Sequence, residues 1–176
     1  REQVKASIRG IGHDYHFVDL ERGVRRNGHL IAYDIQGHIE QIRTVAQQEP
    51  LSQSCLERID KAERVVPKMQ ATIAFVSRYV GQQVAQLDVT PPVSFAMHAK
   101  LIPSYYLDRV AETRTVSDGE PLRELAKRLR APLFEPGGVL SALSPEAQNQ
   151  LHDEAKRLAT VFQRSSSNVE GRNGYL

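Results

Sequence analysis

The fold of this chain is decided by residues 56–87, which read LERIDKAERVVPKMQATIAFVSRYVGQQVAQL. Apolar residues recur there at steps of three and four, which is the spacing of one face of an α-helix. This stripe consists of Leu56, Ile59, Val66, Met69, Ile73, Val76, Val80, Val84 and Leu87. Pro67 lies inside it and removes one backbone donor, so we expect a kink or a break in a core helix or in a pair of helices. Ser54 and Glu57 have the spacing of a capping box at its start.

Two segments precede this stretch. A helix is predicted after Asn27, which is a suitable cap, and residues 47–51 close it with a proline. Its apolar stripe consists of Ile31, Ile35, Ile39, Ile42 and Ala46. Residues 1–26 instead combine Gly10 and Gly12 with charges and turn residues, which predicts a short helix end followed by a connector.

Three further segments follow it. Residues 93–114 predict two short helices with a corner at Pro103. Pro121 has the place of a first helical residue before another apolar stripe. Ser144 and Pro145 then open the last long helix as its cap and its first residue. Strand-like alternation is limited to weak hints near residues 15–18, so the sequence predicts an all-α protein.

Length and composition favour one compact domain, because 176 residues can bury a substantial core. The 23 Lys and Arg residues exceed the 21 Asp and Glu residues by only two, so the total charge does not argue for a polyanionic partner. Cys55 is the only cysteine, which excludes an internal disulfide and a cysteine-built zinc site. No apolar run approaches the roughly 18 residues of a membrane span, and no signal peptide is recognised. We therefore expect a cytoplasmic protein without a membrane partner.

The richest polar chemistry lies in residues 165–176, which read SSSNVEGRNGYL. On spacing alone, Ser167 and Glu170 form a capping box at the start of a helix. The alternative is that Glu170 is a carboxylate ligand of a hard divalent ion such as magnesium, of which one glutamate supplies only a part. The two hypotheses compete, since a glutamate folded back on Ser167 cannot also reach a metal.

This segment, together with the preceding Phe162, Gln163 and Arg164, resembles the C-terminal acidic motif of bacterial insertion-sequence transposases of the Asp-Asp-Glu type. Residues 62–75 resemble the helical region that precedes the motif in that family. The resemblance implies an RNase H-like α/β core with two aspartates on strands, a helical insertion, and a glutamate that returns on a helix. Residues 1–164 would then be a bundle-like helical insertion region, and residues 165–176 the truncated start of the helix with the acidic motif.

The resemblance implies two-metal phosphoryl transfer on DNA, with Mg²⁺ as the cofactor and Glu170 as the third acidic, catalytic ligand. Both aspartates are expected upstream of residue 1, so the chain alone is expected to be inactive. The implied partners are the transposon ends and the target DNA, and a homo-oligomer is compatible with this. Arg172 and Asn173 are candidate DNA contacts, although an ordinary polar helix face is the favoured interpretation.

Two other groups of residues could carry function. Arg123, Lys127 and Arg130 share one helix face that could follow DNA phosphates, whereas a solvated surface is the ordinary alternative. The stretch His13-Asp14-Tyr15-His16, with Asp19 close behind, has histidines and carboxylates that could bind zinc or another transition metal. Ordinary polar loop residues are the stronger expectation there.

The competing functional hypothesis is a non-enzymatic helical module for protein interaction or nucleic-acid binding. In that case Glu170 only caps a helix. The transposase is the first hypothesis, and this module is the second.

Overall fold

A computed structural model describes the backbone of residues 2–48 and 52–173 and the side chains of residues 2–48 and 52–162. Within these ranges the chain is mostly helical, and an isolated bridge between Val18 and Arg25 takes the place of any strand. The all-α prediction is therefore confirmed. The elements are α1 (Glu2–Asp14), α2 (Gly28–Gln48), α3 (Gln53–Ala85), α4 (Pro91–Ala96), a π-helical turn (Met97–Leu101), α5 (Ile102–Glu112), α6 (Val116–Phe134) and α7 (Pro145–Asn173).

The chain divides into two compact units, where the sequence predicted one. The first unit comprises Arg1–Phe17, Arg26–Phe75 and Ser166–Leu176, and the second comprises Val18–Arg25 and Val76–Ser165. The helices α3 and α7 contribute residues to both units. Among the described residues, no helix is both long enough and apolar enough to cross a membrane.

The core of the first unit is built by the predicted stripe of α2 and the first part of α3. Its buried members are Ile31, Ala32, Ile35, Ile39, Val66, Met69 and Ile73. The cap predicted for α2 is confirmed, because Asn27 Oδ1 accepts the Leu30 N–H at 2.9 Å. Ser7 of α1 donates to Gln41 of α2 at 3.0 Å, which adds a polar link between the two helices.

The short helix end predicted for residues 1–26 is wrong, because α1 continues through Gly10 and Gly12 to Asp14. Glycine lowers helix propensity but does not forbid a helix. At Gly10 a Cβ atom would lie 2.3 Å from His38 Cε1, so the glycine allows α1 to approach α2 closely. Gly10 therefore serves packing, and neither glycine marks a helix boundary.

The long apolar stretch forms one helix, α3, in which Pro67 causes no break. The predicted capping box of Ser54 and Glu57 is also wrong. The helix begins two residues earlier than that cap predicts, and Ser52 Oγ accepts the Cys55 N–H at 3.4 Å. A serine two positions further along the chain already lies inside the first turn and cannot cap it.

The second unit packs the end of α3 against α4 to α7. Its largest fully buried side chains include Tyr106, Leu107, Leu140, Leu158 and Phe162. The apolar stripe of α7 lies in this core, with Leu151 and Ala155 buried as well. Ser144 caps the helix as predicted, because its Oγ accepts the Ala147 N–H at 3.2 Å.

No corner forms at Pro103, because α4, the π-helical turn and α5 follow one another directly as one helical run. The Ile102 N–H donates to the carbonyl of Met97, five residues earlier. A π-turn takes up one extra residue, and it stands just before the proline, whose ring and missing N–H disturb regular α-helical bonding. The proline is thus accommodated inside the helical run.

The helix α6 starts earlier than predicted. Thr115 Oγ1 accepts the Asp118 N–H at 3.3 Å, so Thr115 is the cap and Val116 the first helical residue. Pro121 therefore lies inside the helix, as does Pro132 near its end. A threonine cap and buried Leu122 outweigh the local preference of a proline for the first position.

Candidate functional site

The predicted key residue Glu170 lies within α7, which runs without a break over Pro145–Asn173. A capping box needs a non-helical first residue, because only the first amides of a helix lack a backbone acceptor. Ser167 lies inside the helix and cannot be that residue. The capping-box hypothesis for Glu170 is therefore wrong. The three serines extend the helix because a helix interior tolerates serine at a small cost.

The side chains of Glu170, Arg172 and Asn173 lie outside the described residues. Their roles as metal ligand and DNA contacts stay predictions. The backbone of this segment places all three on the last turns of α7.

The three predicted DNA-contacting cations lie on α6 but differ in their surroundings. Arg123 pairs with Glu120 at 3.3 Å on the surface. Lys127 is exposed. Arg130 is less exposed and forms an ion pair with Asp108 of α5 at 2.8 Å. Arg130 therefore lies at the edge of the cationic face of α6 and contacts a cluster of polar and aromatic side chains.

We call this group the Tyr105 cluster. It gathers side chains of α5, α6 and α7 in the second unit. Its members are Tyr105, Asp108, Arg130, Phe134, His152 and Lys156. The phenol oxygen of Tyr105 and His152 Nδ1 are joined by a short hydrogen bond. The Phe134 ring stacks on the imidazole, with centroids 4.3 Å apart and planes at 10°. The hydrogen bond at Nδ1 and the stacked Phe134 ring therefore together fix the orientation of the His152 imidazole.

Two cations flank the tyrosine ring. The Arg130 guanidinium carbon lies 4.6 Å from the ring centroid, within the range of a cation–π interaction. Lys156 Nζ lies 5.6 Å from the same centroid. Lys156 also contacts Asp153 at 3.4 Å, in an exposed pair of the kind that contributes little stability. The cluster thus combines two cations with one carboxylate, that of Asp108, and Lys156 pairs weakly with the neighbouring Asp153.

The electrostatics of the cluster favour neutral side chains at its centre. Burial lowers the pKa of His152 below its ordinary value, and the charges of Lys156 and Arg130 lower it further against the opposing effect of Asp153. Burial raises the pKa of Tyr105 above its ordinary value. At neutral pH the phenol therefore keeps its proton, and the imidazole can accept it on Nδ1. The imidazole proton then lies on Nε2.

The candidate metal segment near the start of the chain forms ion pairs instead. Asp14 accepts from His38 Nε2 at 2.8 Å and contacts Arg26 Nη1 at 3.3 Å and His13 Nδ1 at 3.4 Å. Arg26 also pairs with Asp34. Burial by itself raises the pKa of Asp14, but the hydrogen bonds from both histidines and the charge of Arg26 outweigh it and lower this pKa. The carboxylate is therefore already engaged.

The other two residues of that segment have separate roles. His16 is buried, and its ring lies 4.1 Å from that of Tyr15. Asp19 belongs to the second unit, where its carboxylate accepts the N–H groups of Glu21 and Arg22, each at 2.9 Å, and stabilises a turn. Throughout the part of the chain that the structure describes, no three His, Cys, Asp or Glu side chains are grouped so as to hold a metal.

The chain resembles one family in its second part. Residues 97–176, less than half of the chain, match the family described as "Family of unknown function (DUF6399)". No curated protein and no solved structure matches. The matched residues include both the Tyr105 cluster and the α7 segment with Glu170, so the two candidate sites lie in the region of the chain that is similar to this family.

Proposed function

We propose that this chain is part of a mobile-element transposase of the Asp-Asp-Glu type, which cleaves and joins DNA strands with Mg²⁺. In this proposal Glu170 is the third acidic metal ligand. The observation that carries it is the position of Glu170 inside the continuous helix α7. The resemblance of the terminal motif requires the glutamate on a helix, and the absence of a helix start at Ser167 leaves its carboxylate free of a capping role.

The packing of α7 supports the same proposal. The helix is held by a buried stripe that ends at Phe162, about two helical turns before Glu170. A carboxylate on a regular helix is held more precisely than one on a loop, as a metal ligand in catalysis must be. A regular α-helical backbone at Glu170 therefore suits a ligand role.

The magnesium site itself is not built from the described side chains. Since no three suitable ligands are grouped among residues 2–48 and 52–162, these residues do not fit a magnesium pair. One glutamate supplies only part of such a site. The proposal therefore requires two further carboxylates from outside these ranges, and it keeps the predicted cytoplasmic location and DNA partner.

The DNA contacts are proposed at two places. Arg172 and Asn173 follow Glu170 within α7, where they would lie beside the reacting strand. On α6, Arg123, Lys127 and Arg130 would contact backbone phosphates, which are bound chiefly through cations.

The test is a Glu170→Gln substitution in the natural protein that contains this chain. The substrate is a duplex carrying the DNA that flanks the coding sequence, and strand cleavage is followed with and without Mg²⁺. We expect the substitution to abolish Mg²⁺-dependent cleavage while DNA binding is retained, because glutamine keeps the shape but not the charge of the ligand. Glu124→Gln, at an exposed position of α6, is the control with the same change of charge.

Retained cleavage in the Glu170→Gln variant would refute the ligand role. DNA binding without any Mg²⁺-dependent cleavage by the unaltered protein would instead favour the competing hypothesis of a non-enzymatic nucleic-acid-binding module. The exposed Lys127 in the middle of the α6 cations is the observation that favours this second function.

A further inference from the structure

The Tyr105 cluster presents a fixed hydrogen-bond donor next to positive charge. With the protonated phenol of Tyr105 as the donor to His152 Nδ1, the neutral imidazole carries its proton on Nε2. No partner for Nε2 is found among the described side chains, and His152 is only half-buried. The stacked Phe134 ring prevents the imidazole from turning away. The cluster thus holds one N–H group ready for an acceptor from outside.

The two cations have donors left for the same acceptor. Arg130 uses one terminal nitrogen for Asp108 and also hydrogen-bonds to the Tyr105 phenol, and its guanidinium lies over the Tyr105 ring. The ion-pair partner of Lys156 is Asp153, and an exposed pair of this kind contributes at most about 1 kcal/mol to the free energy of unfolding. An incoming anion can therefore replace Asp153 as the partner of Lys156 at little cost.

The surroundings of the cluster favour an extended anion over a single small one. Arg123, Lys127 and Arg130 follow one another on α6 over a rise of about 10 Å. This row of cations ends at the Tyr105 cluster. A polymer with one phosphate in every nucleotide can contact the row and the cluster together, whereas a single phosphate can reach only one of them.

We propose that the Tyr105 cluster binds a backbone phosphate of DNA, with His152 Nε2, Lys156 and Arg130 as the donors and Tyr105 as the residue that positions His152. The inference rests on the proposed function for the identity of the nucleic acid as DNA. It adds a specific phosphate site in the second unit, which is separate from the proposed metal-ligand role of Glu170. Tyr105 acts here through His152 and does not itself contact the phosphate.

The first test measures binding of a fluorescent DNA duplex of about 15 base pairs by anisotropy, with the full chain. Lys156→Gln and Tyr105→Phe are each expected to weaken binding about three- to tenfold, the effect of one lost charged or oriented hydrogen bond. Lys61→Gln removes an equal charge from an exposed position of α3 in the first unit and should leave the affinity unchanged. Circular dichroism shows whether each variant keeps its helices.

The second test needs no substitution that could affect folding. Titration of the unaltered chain with the same duplex, followed by the ¹⁵N signals of the imidazoles, should shift the Nε2 signal of His152 and leave that of His29 unchanged. His29 lies in the first unit, where its Nδ1 contacts Gln70. Shifts of both or neither of these signals would overturn the inference, as would Lys156→Gln and Tyr105→Phe variants that bind like Lys61→Gln.

The two proposals fail separately. If Glu170→Gln abolishes cleavage while Lys156→Gln binds DNA normally, the phosphate site is refuted and the transposase proposal stands. If Lys156→Gln weakens binding but the unaltered protein cleaves no DNA, the phosphate site stands and the transposase proposal is refuted.

Discussion

At the scale of single residues, Gly10 shows how one missing side chain determines the contact between two helices. His38 of α2 points at this glycine and donates from Nε2 to Asp14 near the end of α1. Its Nδ1 is buried and has no hydrogen-bond partner in the structure. The imidazole is therefore held between the glycine and the carboxylate, and it has little room to move without loss of the Asp14 bond.

We predict that Gly10→Ala destabilises the first unit by about 1–3 kcal/mol, the usual cost of inserting a methyl group into a tight contact. The new Cβ would lie 2.3 Å from His38 Cε1, so the ring must shift and its bond to Asp14 must weaken. Gly12→Ala is the matched control in the same helix, because nothing lies within 4 Å of its Cβ position. It should be neutral or stabilising by up to about 1 kcal/mol. Chemical denaturation measures both, and equal effects would contradict the packing role of Gly10.

At the scale of elements, the apolar stripes could be predicted from the sequence, whereas the prolines inside helices falsely indicate boundaries. Repeats of three and four residues place the correct faces of α2, α3 and α7 in the core, because burial of such a face is what stabilises a helix in a protein. Pro67, Pro103 and Pro121 each suggest a boundary, yet all three lie within helical segments. A proline changes local hydrogen bonding, whereas the buried stripe on either side of it decides whether the helix continues.

The Tyr105 cluster lay beyond sequence reasoning for a different reason. Tyr105 and His152 are 47 residues apart and meet only because α5 and α7 pack in the same unit. Neither residue has a spacing that suggests a site. The cationic face of α6 was a signal, since Arg130 lies on it, but its partner Asp108 belongs to another helix. Long-range packing therefore produces the cluster, and no local pattern encodes it.

Pro67 allows a direct test of how α3 tolerates a proline. We predict that Pro67→Ala stabilises the chain by about 1–3 kcal/mol, because alanine restores the missing backbone donor and removes the ring from the helix interior. The position is exposed, so no core contact is lost. Pro91→Ala is the control, since Pro91 is the first residue of α4, where a missing N–H does no harm. Thermal unfolding followed by circular dichroism compares the two. A loss of stability in Pro67→Ala would show that the proline shapes α3 in a way that the core requires.

At the scale of the whole molecule, the distribution of charge matters more than its sum. A net charge of +2 gives only a weak overall attraction to DNA. Many cations are also paired within their own unit, as Arg43 is with Asp60 and Glu63 in the first. In the proposed function, DNA binding would then depend on cations presented along one surface, such as the α6 row. In that row Lys127 is exposed, whereas Arg123 and Arg130 must exchange Glu120 and Asp108 for phosphates.

The salt dependence of DNA binding distinguishes local contacts from overall attraction. Each phosphate neutralised by a protein cation contributes about 0.9 to the slope of log affinity against log salt concentration for duplex DNA. We predict that Lys127→Gln reduces this slope by about that amount, because Lys127 stands in the middle of the α6 row. Lys68→Gln removes the same charge from an exposed position of α3 in the first unit and should leave the slope unchanged. If both variants lower the affinity equally and neither changes the slope, DNA responds to the net charge of the molecule, and the α6 row is an ordinary solvated surface.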